Sequence, residues 1–143
     1  IRLNPEYAIA YYNRGNAYDD LGQYERAIQD YDEAIRLDPQ YAIAYYNRGS
    51  AYARLGQYER AIQDYDEAIH LNPQYANAYY TRGYAYYDLG QYQLAIQDFN
   101  EAIRLHPQDA LAYYGRGVAY EYLGNYSEAE RDFQKAKELG FNP

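Results

Sequence analysis

The stretch NAYDDLGQYERAIQDYDEAI, residues 16–35, returns as SAYARLGQYERAIQDYDEAI at residues 50–69 with three letters changed. Asn16, Asp19 and Asp20 become Ser50, Ala53 and Arg54. The return is part of a longer rhythm: Pro stands at 5, 39, 73 and 107, and Gly at 22, 56, 90 and 124, always 34 residues apart. A period of this length marks stacked helical units, since one such unit cannot bury its own apolar stripe. The copies run 8–41, 42–75, 76–109 and 110–143, and residues 1–5 read as the tail of a preceding, truncated copy.

Each copy reads as two helices. In the first copy Ala10, Tyr11, Arg14, Gly15, Tyr18 and Leu21 share one face at helical spacing. Gly22 then supplies the left-handed residue that closes a helix. Tyr24, Ala27, Ile28, Tyr31, Ala34, Ile35 and Leu37 form the single apolar face of the second helix, which ends at Asp38-Pro39. Gly15, mid-helix at a cost of about 1 kcal/mol relative to Ala, predicts a close approach between backbones. Ile28 and Ile35 recur in the second and third copies, but the fourth has Glu130 and Lys137 there. Those isoleucines are expected to pack on the following copy, and residues 110–143 to be a polar cap.

Composition narrows the function. Over 143 residues the net charge is −8 and the pI 4.7, which argues against a phosphate-binding surface. Without Cys there is no disulfide, thiolate site or Cys nucleophile. No apolar run spans a membrane and the first residues are not a signal peptide, so a cytoplasmic location is expected. His70 and His106 lack a Ser or Cys partner nearby in sequence and read as polar residues of inter-repeat turns. The acidic runs match no calcium loop, and no phosphate-binding loop appears. We expect no enzyme activity, no metal and no cofactor.

The pattern Tyr11, Gly15, Tyr18, Ala27, Tyr31, Ala34 and Pro39, carried through four copies, resembles the tetratricopeptide repeat. The resemblance covers residues 8–143 and implies an all-α fold: a right-handed α-solenoid of stacked antiparallel helix-turn-helix repeats. Two departures stand out. Tyr replaces the family's Trp, and Arg14, Arg48, Arg82 and Arg116 replace its Leu. Asp30, Asp64, Asp98 and Asp132 recur too, so the arginines are expected to pair with these acids while their stems cover Tyr rings.

In the resembled family the other side of each first helix lines the concave surface where partner segments lie. Here that side carries Ile9, Tyr12, Asn13, Asn16, Asp19 and Asp20, then Tyr46, Asn47, Ser50 and Arg54. The third copy gives Asn77, Tyr80, Thr81, Tyr84, Tyr87 and Asp88, and the fourth Tyr114 and Tyr122. Three of the five differences between the first two copies fall on this side, and none on the shared ERAIQDYDEAI. Drift would touch both surfaces, so the variation is read as diversification of a peptide-binding face. The ladder Tyr12, Tyr46, Tyr80 and Tyr114 reads as packing between adjacent first helices, as an aromatic track for a ligand, or as both together.

The resemblance offers two recognition modes. A clamp for acidic C-terminal tails uses two asparagines and three cations at places that here hold Tyr12, Asn16, Asn47, Asn77 and Thr81; Asn16 and Asn47 match but all three cations are missing, so no grip on such tails is expected. An asparagine ladder matches at Asn13 and Asn47 and lapses at Thr81 and Gly115. A side-chain amide can donate and accept at one peptide unit, so an extended or helical peptide, basic or neutral, is expected over the first two copies. The alternative is a self-assembly module working through exposed repeat ends, above all the N-terminal edge.

Overall fold

The computed structural model describes residues 4–143, so residues 1–3 of the expected tail at 1–5 lie outside the described residues. Asn4 opens helix α1 (Pro5–Asp20), its side chain accepting the Glu6 backbone N–H at 3.0 Å. Pro5 takes the first helical position, where its missing N–H costs nothing. Pro39, Pro73 and Pro107 instead sit in turns between hairpins. The second helix, α2 (Tyr24–Leu37), stops at Asp38, whose backbone is extended ahead of Pro39.

The chain divides into two compact units, Ile1–Pro73 and Gln74–Pro143. Besides α1 and α2, the first holds α3 (Ala42–Arg54) and α4 (Tyr58–Leu71). The second holds α5 (Ala76–Asp88), α6 (Tyr92–Leu105), α7 (Ala110–Tyr122) and α8 (Tyr126–Glu138). The fold is all-α: eight helices and no strand among the described residues. None of these helices is long and apolar enough to cross a membrane. His70 lies in the last turn of α4 rather than beyond it, and His106 caps α6.

Each hairpin turns at a glycine. Gly22 has φ +73°, a left-handed conformation that lets the Gln23 N–H reach the Tyr18 carbonyl at 2.8 Å. The mid-helix glycines do different work. A Cβ on Gly15 would lie 2.7 Å from the Tyr31 ring, and one on Gly49 2.9 Å from Tyr65 and 3.1 Å from the Ala61 carbonyl. The close neighbour is therefore chiefly an aromatic ring of the second helix, not the backbone that the sequence suggested. Tyr31, Tyr65 and Phe99 are the large side chains that become fully buried, each seated in this way.

Hairpins stack within each unit through the isoleucines. Ile28 of α2 packs with Ala51 of α3, and Ile96 of α6 with Ala119 of α7. At the far end Glu130 and Lys137 are exposed in the corresponding places.

Every hairpin also carries one buried carboxylate. Arg48 Nε and Nη2 donate to Asp64 at 2.9 and 2.7 Å, a two-pronged grip that only a guanidinium can make. Arg14–Asp30, Arg82–Asp98 and Arg116–Asp132 repeat it, so the charge on the inward face is matched. Arg48 also lies 5.5 Å over the Tyr45 ring, as Arg14 does over Tyr11. The third prong reaches the preceding hairpin: Arg48 Nη1 donates to Asp32 and Arg116 Nη1 to Asn100, at 2.7 and 2.8 Å.

Candidate functional site

The first-helix sides come in two chemistries, one for each unit. In the first unit Asn16 sits at the edge of the hairpin, near enough to the core for its Oδ1 to accept the Tyr31 hydroxyl at 2.7 Å. The same oxygen accepts Asn47 Nδ2 at 2.9 Å, and that nitrogen also donates to the Tyr12 hydroxyl at 3.1 Å. Asn47 thus spends its amide nitrogen inside the protein, on Tyr12 and Asn16. Asn13 is exposed, with no hydrogen-bond partner among the described residues. Burial pushes the Tyr31 hydroxyl well above its ordinary pKa, and the nearby Asp19 charge adds to this.

In the second hairpin Ser50 takes the place of Asn16, its hydroxyl 3.2 Å from that of Tyr65. In the third and fourth the ring is Phe99, buried, or Phe133, half-buried, and the residue opposite is Tyr84 or Val118. Where the core ring has a hydroxyl the edge residue is polar, and where it has none the polar partner is gone. Part of the variation on this side therefore answers to the core rather than to a ligand. Asn16→Val should leave the Tyr31 hydroxyl without its acceptor, a loss of about 1–3 kcal/mol in urea unfolding. Adding Tyr31→Phe should return most of that loss, a recovery that separates this pairing from a general packing defect.

The change from Asp20 to Arg54 finds its reason one hairpin back. Arg54 Nη1 donates to Asp19 Oδ2 at 3.2 Å, and its guanidinium lies 5.5 Å over the Tyr24 ring. Asp19 Oδ1 is buried and accepts nothing. Burial raises the Asp19 pKa, Arg54 opposes that, and Asp20 adds to it. Asn16, Asp19, Asp20, Tyr46, Asn47, Ser50 and Arg54 surround an open pocket of about 340 Å³.

In the second unit aromatic rings fill the same positions. Tyr87, Tyr92 and Tyr122 stand where Asp19, Tyr24 and Arg54 stand in the first, with Tyr122 stacked on Tyr92 at 5.0 Å and edge-on to Tyr87 at 5.5 Å. Tyr122 is 61% exposed. Burial and the hydrogen bond to Tyr122 push the Tyr87 hydroxyl up to about 12. Burial also raises Tyr84, whose ring lies edge-on to Phe99 at 5.1 Å. A Cβ on Gly115 would meet the Tyr84 hydroxyl at 3.0 Å. The Asn16–Asn47 pair of the first unit thus becomes Tyr84–Gly115, large against small.

The ladder tyrosines are half-buried, and each packs on the second helix of its own hairpin; Tyr12 of α1 also reaches the neighbouring first helix, its hydroxyl accepting from Asn47 of α3. Tyr12 meets Tyr31 at 6.1 Å, Tyr46 meets Tyr65 at 5.8 Å, Tyr80 meets Phe99 at 6.1 Å and Tyr114 meets Phe133 at 5.5 Å. Ile9, Asn77 and Asp88 are exposed, and Thr81 Oγ1 donates to the Asn77 carbonyl at 2.8 Å. Sequence reasoning passed over Tyr24 and Tyr92, which floor the two corners. Their recurrence with Tyr58 and Tyr126 at the start of every second helix was the available signal. No cluster of carboxylate and imidazole groups among the described residues is arranged to hold a metal ion.

Comparison with known proteins agrees with this architecture. The TPR repeat profile matches residues 15–56, 49–90 and 83–124, and the tetratricopeptide repeat profile matches 110–140. A crystal structure of MamA is 34% identical with a TM-score of 0.91, over 95% of this chain and 80% of that one. MamA from Desulfovibrio magneticus RS-1 is 28% identical with a TM-score of 0.87, over 96% and 76%. The first TPR of Spaghetti (RPAP3), bound to the HSP90 peptide SRMEEVD, is 27% identical with a TM-score of 0.75, over 94% and 98%. No curated protein matches the chain.

Proposed function

The chain belongs to the tetratricopeptide repeat family, and from that premise we propose that it is a non-catalytic scaffold holding a peptide segment along its first helices. The observation that carries the reading is the side of those helices left open after every internal pairing is counted. In the first unit Asn13 and the pocket around Asp19 remain unfilled. In the second, Tyr122 offers a broad exposed ring backed by Tyr87 and Tyr92. The first set suits hydrogen bonding to a peptide backbone, and the second suits apolar or aromatic side chains. Asp19, Asp20, Asp88 and Glu121 outnumber Arg54 on these sides, so neutral or basic segments are drawn in and acidic ones opposed. The Spaghetti repeat domain is a related fold seen with a bound peptide. The clamp-type cations are missing here, and a different class of segment is proposed. A cytoplasmic location belongs to the same proposal.

Selection from a displayed dodecapeptide library, followed by calorimetric titration, tests this. Neutral or basic sequences should be enriched, and Asn13→Ala should weaken them by roughly tenfold, the worth of a lost hydrogen bond. Asn13 is the decisive position, because Asn47→Ala would also disturb Tyr12 and Asn16. Low-micromolar binding of SRMEEVD, or unchanged affinity in Asn13→Ala, would overturn the reading.

One observation favours self-assembly as a second reading. The Arg14 side chain is 60% exposed where that of Arg48 is 19% exposed, and Tyr7 and Ile9 on α1 and Leu21 at its C-cap stand open. A covering helix would complete that face, but the exposed Glu130 and Lys137 on α8 are poor material for it. Mass rising with concentration in light scattering would support this reading; a strict monomer would remove it.

A further inference from the structure

We propose that the uncovered face of α1 around Ala10, Arg14 and Ala17 is a docking site for an amphipathic partner helix. That helix carries isoleucine, then aspartate or asparagine four places on, then isoleucine three places further. The face is not the open side described above, so the proposal does not depend on the peptide-binding reading.

Within the units the same surface appears on α3 and α7, and there it is covered. Ile28 of α2 rests on Ala51 of α3, and Ile96 of α6 on Ala119 of α7. Ala44, Ala51, Ala112 and Ala119 are fully buried as a result. Their counterparts on α1, Ala10 and Ala17, are exposed. Each covering helix also supplies one oxygen. Asp32 accepts Arg48 Nη1 at 2.7 Å, and Asn100 accepts Arg116 Nη1 at 2.8 Å. Arg14 spends Nε and Nη2 on Asp30, and its Nη1 has no acceptor among the described residues. The guanidinium is thus already fixed by Asp30 and by the Tyr11 ring 5.5 Å beneath it, so little further ordering is needed when an acceptor arrives. Beside it Tyr7, Ala10 and Tyr11 line, with Arg14, an open pocket of about 270 Å³.

The two covered copies specify the occupant. Ile28, Asp32 and Ile35 in α2 share one helical face, as do Ile96, Asn100 and Ile103 in α6. Asn100 serves in the place of Asp32, so the requirement is an acceptor oxygen rather than a charge. A second copy of this chain offers no such helix. Its α8 has Glu130, Gln134 and Lys137 at these places, α2 and α6 use theirs on α3 and α7, and Asp66 of α4 has a partner of its own.

The probe is a peptide of residues 24–37, held helical by a lactam between Glu25 and Gln29→Lys, because a free segment of this length is barely helical in water. It is titrated into the labelled full chain, followed by alanine methyl and side-chain amide signals. Saturable shifts are expected at Ala10 and Ala17. Asp32→Asn in the peptide should bind as tightly as the parent, and Asp32→Ala several-fold more weakly. Ala17→Gln in the chain changes an exposed residue, so it should leave the unfolding midpoint in place and abolish the shift at Ala10. Absence of saturable shifts, or equal binding by a scrambled peptide of the same composition, would overturn the proposal. So would an Asp32→Asn peptide as weak as Asp32→Ala. Shifts of the two methyls with protein concentration alone would assign the face to a second copy instead. Shifts confined to the Asn13 and Asn47 amides would also overturn it, while leaving the peptide-binding reading in place.

Discussion

Arg48→Met should lower the stability of the chain by about 3–5 kcal/mol, because it strands the Asp64 carboxylate without its counter-charge. Asp64 is 5% exposed, and it accepts both prongs of Arg48. The loss of the Asp32 contact should add little, since that carboxylate is half in water. The pair as a unit is a different matter. Arg48→Met combined with Asp64→Leu should recover most of the loss, because two apolar side chains of similar volume need no partner. Arg14→Met removes the same contact where the arginine is already solvated, so its effect should be clearly smaller. Urea unfolding followed by circular dichroism reads all three. A single Arg48→Met as stable as the parent would mean that water reaches Asp64, contrary to its burial.

Phe99→Ala should also cost about 3–5 kcal/mol, the range for emptying a large aromatic site. The ring is fully buried, edge-on to Tyr80 and Tyr84, and a Cβ on either Gly83 or Gly115 would touch it. Glycines give way to nothing, so the surroundings cannot collapse cheaply into the space. Phe133→Ala, where the ring is half-buried in the last hairpin, should cost less. Thermal unfolding of the two variants side by side checks the order; equal losses would contradict the burial difference.

The repeated elements could be read from the letters alone. Four arginines and four aspartates at constant separation predict a pairing, because a charge that returns at the same inward place in every hairpin must be met there. The isoleucines could be read for the same reason, by their disappearance in the last copy. The partners of Asn16 and Arg54 were harder to see. Both lie at the border between the packed stripe and the open side, where the depth of the neighbouring ring decides whether a polar atom turns inward. Spacing places such a residue on a face but does not say what lies beneath it. The clue was present in the alternation of Tyr31, Tyr65, Phe99 and Phe133 against Asn16, Ser50, Tyr84 and Val118. Read together, these columns show a hydroxyl and its acceptor coming and going as one. Asp19 and Arg54 differ by one place within the period, so alignment of the copies hides their contact.

Arg48 extends to Asp32 and Arg116 to Asn100, so in both units the long arm belongs to the later hairpin and its anchor to the earlier one. A ribosome releases the chain in that same order. The second and fourth hairpins therefore each find their anchor already synthesised, and neither must wait for synthesis downstream before its own arginine is satisfied.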